Sequence, residues 1–334
     1  MRLILNKTLF TYIFFILSIS NTNAQNSTTP DYLKKGDTII ILAPAGIVKP
    51  TRKATILKAK KLAESWGLHV ILGEHIFNQG NHFAGTDTER AGDFQKALND
   101  TSIKAIWAAR GGYGSIRILD KLDFTTFKQH PKWIIGYSDI TVFHNHIHNL
   151  GIETIHGMMA TSLEFNGLQN KKSISSLHDV LFGKEVSYEI ENSIWNRLEN
   201  SSKIKGQLIG GNLAILTSML GSKSQIDTSD KVLFIEEIGE YKYAIDRMLQ
   251  SLLRAGYFYN IKAIIIGNMS NVKKNKTIPW GGSIEQLILD VVPKKIPVYF
   301  NFPAGHEAEN CALIFGKEIT ISSNNSHYSI SFKN

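Results

Sequence analysis

The chain has 334 residues, 43% of them hydrophobic and 20% charged, the balance of an ordinary globular protein long enough for two domains. Its formal net charge is +8, but the basic residues come in scattered pairs such as Lys60–Lys61 and Lys273–Lys274. Solvated faces, not a nucleic-acid patch, are therefore expected. The single cysteine, Cys311, excludes an intrachain disulfide, and its place at the head of the apolar run "CALIF" predicts a small buried hydrophobe.

Residues 1–24 combine a basic start (Arg2, Lys7), an apolar stretch from Leu9 to Ile19 and a small-residue end at Thr22-Asn23-Ala24. That is the layout of a secretory signal peptide, cleaved after Ala24. The apolar stretch is short for a transmembrane helix, so the protein is expected to be exported, periplasmic or secreted, without stable membrane insertion. Removal of Arg2 and Lys7 leaves a charge of +6. Gln25 to Asp31 read as a flexible leader.

From Lys35 the pattern is α/β. "DTIIILAPAG" is a buried parallel strand ending in Pro44 and Gly46. A helix over Lys53–Trp66 stops at Gly67, and "HVILG" is the next strand. Thr86–Leu98 is a helix with an acidic start. "IKAIWAA" is a strand, "GSIRILDKLD" a helix, "KWIIGYS" a strand and "DITVFHNHIHNL" a helix closed by Gly151. This alternation predicts a parallel-sheet, Rossmann-like (flavodoxin-like) α/β domain over residues 32–165. Residues 166–205 are polar, weakly periodic and read as a linker with short strands. A second, mixed α/β and β-rich domain follows over 206–334. It has strands "KVLFIEE", "IKAIIIGNM" and "PVYFN", helices "YAIDRMLQSLLRAG" and Ile284–Val291, and an alternating antiparallel end.

Ligands of open parallel sheets bind beyond the carboxyl ends of the strands. Those ends carry "RGGYGS" (Arg110–Ser115), Tyr137-Ser138-Asp139, Glu236-Glu237 and "PAGH" ending at His306. A serine hydroxyl needs a base to become a nucleophile, a histidine can be that base, and a carboxylate can orient it. Ser138 follows a strand as half of a nucleophile elbow does, but Ile140 stands where the second glycine would be, and serine is equally a helix cap. From the residues alone both roles remain open, as does the choice between Glu236 and Glu237. His144, His146 and His148 lack zinc spacing with a carboxylate and are read as structural. No metal or organic cofactor is called for.

Six motifs occur here in the order found in the LD-carboxypeptidase family: "FAGTDTERAGDFQKALNDTSIKAIWAARGGYGS", "IIGYSDIT", "TIHGMMA", "GQLIGGNLAILTSMLGS", "VLFIEEIGEYKYAIDRMLQ" and "FPAGHEAEN". The resemblance runs from about Lys35 to Gly316. The family consists of serine peptidases, among them muramoyltetrapeptide carboxypeptidases and microcin-immunity peptidases. It implies a Ser-Glu-His triad, with the nucleophile on Ser138 in "GYSD", the acid on Glu236 after "VLFI" and the base on His306. Asp139, Gly111 and Gly112 are the expected oxyanion donors, with Ser115 as a further donor to substrate and Arg117 as a possible charge. The implied reaction is removal of the terminal D-alanine from peptidoglycan tetrapeptides, and the implied assembly is a homodimer. A peptide–nucleotide substrate and a catalytically dead cell-wall-peptide binder are the alternatives.

Overall fold

The computed structural model describes residues 27–165, 168–198 and 203–332. The expected signal peptide lies outside them. Five apolar runs form the parallel strands β1 (Thr38–Leu42), β2 (His69–Leu72), β3 (Ile103–Ala108), β4 (Trp133–Gly136) and β5 (Thr154–His156). Between them run α1 (Lys53–Ser65), α2 (Asp87–Asn99), α3 (Ser115–Leu119), α4 (Thr125–Gln129) and α5 (Thr141–Asn149). The acidic start of α2 is a capping box: Thr86 Oγ1 accepts from Glu89 N–H while the Glu89 carboxylate accepts from Thr86 N–H at 2.7 Å.

The remaining elements are α6 (Leu168–Leu181), β6 (Val186–Glu191), β7 (Ile204–Asn212), α7 (Leu213–Ser218), β8 (Val232–Ile238), α8 (Lys242–Arg254), β9 (Ala263–Ser270), α9 (Ile284–Val291), β10 (Val298–Tyr299), β11 (Leu313–Phe315), β12 (Glu318–Ser323) and β13 (His327–Phe332). The first sheet runs β11-β5-β4-β3-β1-β2, and its parallel part has the flavodoxin-like order 2-1-3-4-5. The second runs β10-β9-β8-β7-β12-β13-β6: parallel from β10 to β7, antiparallel from there on. One apolar core is shared by both sheets, joining Trp107 and Trp133 to Phe234 and Phe302. Two others lie under the outer helices.

Three expectations change. The segment read as a linker with short strands does hold one, β6, but opens with the helix α6. Ile174, Leu177 and Leu181 recur at helical spacing and pack on the shared core, and β6 pairs with β13. Polar residues between the apolar positions hid the period of the helix. The leader is tied down from Thr28, which bridges Ile152 and accepts from Glu153 N–H at 3.0 Å. That pairing joins distant backbone and leaves no mark in composition. β11 crosses from the C-terminal part of the chain to complete the first sheet, antiparallel to β5.

Cys311 is buried, and burial pushes its thiol up to about 12. His144 lies between Thr154 Oγ1 and the Gly136 carbonyl, both at 2.9 Å, and burial lowers its pKa to about 4. His146 meets Ser224 Oγ at 2.9 Å, and His148 is lowered to about 4, first by burial. Among the described helices none is long and apolar enough to cross a membrane.

Candidate active site

β4 delivers Ser138. The strand turns at Tyr137 into a 3-10 turn, Ser138–Ile140, that leads into α5. Ser138 has φ +61°, a left-handed conformation that L side chains rarely adopt. It does not cap the helix: the capping position is Tyr137, with no side-chain hydrogen bond. The missing glycine of the elbow also has a physical reason. Ile140 folds back onto Gly136, where a Cβ would come within 2.8 Å of its side chain.

The other two groups come from the second sheet. Glu236 lies at the end of β8 and is fully buried. His306 sits on the loop after β10, which Asn268 holds by donating its N–H to the Ala304 carbonyl at 2.8 Å. His306 Nε2 is 3.0 Å from Ser138 Oγ, and Nδ1 is 2.6 Å from Glu236 Oε2. The halves meet beside this series, where Asn212 N–H donates to Thr141 Oγ1 at 3.1 Å. Burial lowers the His306 pKa, but the charge and hydrogen bond of Glu236, with Glu237 and Glu307, outweigh it and leave the pKa above the usual value.

Glu237 points elsewhere. Its carboxylate accepts from Ala214 N–H and Ile238 N–H, each at 2.7 Å, and from Asn212 Nδ2 at 3.2 Å. It ties the first turn of α7 to β8. Tyr137 lies edge-on to His306 with centroids 4.9 Å apart, and its hydroxyl is raised to about 12, mainly by burial. Behind it is His156, a residue without a role in the sequence reading. It is fully buried among Tyr137, Phe234 and Phe315, and burial holds it neutral, its pKa well below the usual value.

The glycine turn lies against Ser138. A Cβ on Gly111 would sit 3.3 Å from both Asp139 N and Ser138 Cβ, so glycine leaves the Asp139 N–H open. Asp139 stands in the first turn of its 3-10 helix, where an N–H has no partner within the helix. Gly112 faces the other way, toward Gly46 and Arg110.

The donors of Ser115 face inward, its Oγ buried and without a hydrogen bond from the described residues. Its N–H donates to Asp139 Oδ2 at 2.8 Å, and the residue is fully buried. It therefore fixes Asp139 beneath the serine. Arg117 is also occupied: it donates twice to Asp87, at 3.0 and 2.8 Å, and lies over Phe83.

Two cations meet this turn: buried Arg90, whose Nη1 donates to the Gly114 carbonyl at 2.9 Å, and Arg110, passed over in the sequence although it opens "RGGYGS". Arg110 is half-buried, and its Nη1 donates to the Ile47 carbonyl at 3.0 Å. Its neighbour Glu164 is held by Arg52 at 2.8 Å. Burial, then Arg52, pulls the Arg110 pKa down.

A hydroxyl, an imidazole and a buried carboxylate in series, beside an open backbone N–H, can transfer an acyl group through a serine ester. Fold and site together are those of a hydrolytic enzyme. The comparisons define it further. The profile of the LD-carboxypeptidase N-terminal domain matches residues 39–157, and that of the LD-carboxypeptidase C-terminal domain matches residues 205–321. The chain belongs to the LD-carboxypeptidase family, and it is a carboxypeptidase.

It is 36% identical over 293 residues to the "Probable murein peptide carboxypeptidase" of Bacillus subtilis (strain 168), covering 86% of this chain and 89% of that one. It is 28% identical over 297 residues to the murein tetrapeptide carboxypeptidase of Pseudomonas aeruginosa, covering 86% and 93%. Among solved structures, the muramoyltetrapeptide carboxypeptidase of Oxalobacter formigenes superposes with TM-score 0.76 at 26% identity, covering 89% of this chain and 99% of that one. An MccF-like protein of Bacillus anthracis str. Ames gives 0.78 at 26%, covering 92% and 100%.

Proposed function

We propose that this carboxypeptidase removes the terminal D-alanine from peptidoglycan tetrapeptides by a Ser138–His306–Glu236 mechanism. The observation that carries the reading is the unbroken series of 3.0 and 2.6 Å contacts ending on a fully buried carboxylate. The relatives' names supply the substrate. Ser138 Oγ attacks the carbonyl carbon of the diamino acid while His306 Nε2 takes its proton. The negative oxygen forms against Asp139 N–H and an N–H of the Gly111-Gly112 turn. His306 then gives the proton to the departing amine of D-alanine, leaving the peptide as an ester on Ser138. Water, deprotonated by His306, hydrolyses that ester and restores the serine. Glu236 holds the imidazole by Nδ1–H and stabilises its charged form throughout.

A carboxypeptidase must also sense the free carboxylate next to the cut bond. Arg110 takes that role in place of Arg117 and Ser115. One charge-assisted hydrogen bond is worth about 1.5–3 kcal/mol, so a tetrapeptide amide should react roughly 10–150-fold more slowly than the free acid. Equal rates would overturn the exopeptidase reading. A serine-reactive probe should label the wild type and not Ser138→Ala.

Export is proposed on the basic start, apolar stretch and Thr22-Asn23-Ala24 end of the first 24 residues. Native protein sequenced from its N-terminus should begin near Gln25, and one beginning at Met1 would refute export. A homodimer is proposed on family resemblance, and a monomeric mass by light scattering would refute it.

A further inference from the structure

Beyond the carboxyl ends of β8 and β9 is a hollow of about 370 Å³ that the proposed chemistry does not use. Its walls are Tyr241, Tyr243, Ile278, Pro279 and Trp280, with Lys273 and Lys274 on its rim. The volume falls within the range of small-ligand sites. Tyr241 and Tyr243 stack with centroids 5.6 Å apart and planes 21° apart. Tyr243 is 46% exposed and Trp280 45%, so both leave open ring surface. Lys273 Nζ stands over Tyr241 at 5.5 Å, and Arg247 over Tyr243 at 5.6 Å.

The two segments that line the hollow lead back along the chain to the active site. Ser270 Oγ donates to Glu307 Oε1 at 2.5 Å, next to His306. Lys273, three residues beyond Ser270, donates its N–H to the Glu240 carbonyl at 2.8 Å. Three residues of chain span at most about 10 Å, and the five from Glu236 to Tyr241 about 17 Å. The part of a tetrapeptide upstream of its last bond is also three residues long and has a comparable reach.

We propose that this hollow binds the amino sugar that carries the stem peptide, with Tyr243 and Trp280 as stacking surfaces and Lys273 and Lys274 facing the stem's carboxylates. The proposal rests on the peptidoglycan reading above. Aromatic faces are electron-rich and attract the weakly positive C–H face of a pyranose ring. Lysine ammonium groups are free to follow carboxylates on a flexible peptide.

The test compares a free tetrapeptide with its disaccharide-tetrapeptide form. In Trp280→Ala and in Tyr243→Ala, KM for the disaccharide-tetrapeptide should rise about three- to tenfold with kcat unchanged, while kinetics on the free tetrapeptide stay as in the wild type. Trp280→Phe should keep most of the advantage. Equal changes on both substrates, or none on the glycosylated one, would overturn the proposal. So would a change of oligomeric mass in Trp280→Ala, which would make the hollow a subunit contact. Titrating the wild type with the peptide-free disaccharide keeps the two readings apart. Saturable quenching of tryptophan fluorescence, lost in Trp280→Phe, is expected even if neither peptide is cleaved; no binding would overturn the proposal while leaving the carboxypeptidase reading intact.

Discussion

Glu236 and Glu237 are adjacent acids with different surroundings, and glutamine at each position separates their roles. In Glu236→Gln an amide replaces a carboxylate whose described partner is His306 Nδ1 at 2.6 Å. An NH₂ facing Nδ1 moves the imidazole proton to Nε2, which then cannot accept from Ser138. The neutral amide also ceases to stabilise the charged imidazole. The expected loss in kcat is roughly 10³–10⁴-fold, about 4–5.5 kcal/mol of barrier. The fold should not suffer, because the change removes a fully buried charge whose Oε1 has no hydrogen bond from the described residues. Glu237→Gln should do the opposite. Its two oxygens each accept a backbone N–H at 2.7 Å, so in glutamine one N–H must face an NH₂. That costs about 1–3 kcal/mol, or roughly 2–9 °C in Tm, with kcat within a few fold of wild type. D-Alanine release followed by chromatography, beside thermal melts, reads both effects. An inactive Glu237→Gln with an active Glu236→Gln would refute the reasoning and move the acid to Glu237.

The acid limb of kcat/KM should lie above the pH of an ordinary histidine, since catalysis needs neutral His306 and Glu236 raises its pKa; Glu236→Gln should shift the residual activity's limb to lower pH, because burial then acts with less opposition. An unshifted limb would mean that another group titrates. Gly111→Ala puts a methyl group 3.3 Å from Asp139 N, so kcat should fall roughly 10²–10³-fold with labelling of Ser138 by a small serine probe retained; wild-type kcat would remove this turn from the oxyanion site. Arg110→Gln should lower kcat/KM for the free-acid tetrapeptide roughly 10–150-fold and leave the amide unchanged, and equal losses on both would assign Arg110 a structural role.

Most parallel strands of both sheets were legible because they are short apolar runs closed by a turn, and position at strand ends gathered Ser138, Glu236 and His306. What the residues could not decide was geometric. The φ of +61° at Ser138 and the packing of Ile140 over Gly136 are visible only once the turn is formed. The Ser115 N–H goes to a carboxylate 24 residues away, and Asp87 reaches Arg117 from another helix, pairings that no local pattern shows. The helix between the halves opens on the polar run Gln169–Ser173, which masks the spacing of Ile174, Leu177 and Leu181 that follows.

The crossing of β11 has a bearing on how the molecule comes into being. Ile314 pairs with Ile155, so the edge of the first sheet stays open until nearly all of the polypeptide is available. Pairings so far apart in the chain are slow to form, and an uncovered strand edge invites association meanwhile. A nascent chain released after β10 would hold Ser138 and Glu236 yet lack both the histidine and the strand that closes the sheet. Amide exchange at His156, which faces Leu313 of β11, thus becomes a clock: its protection marks the moment when the two ends of the gene product have met.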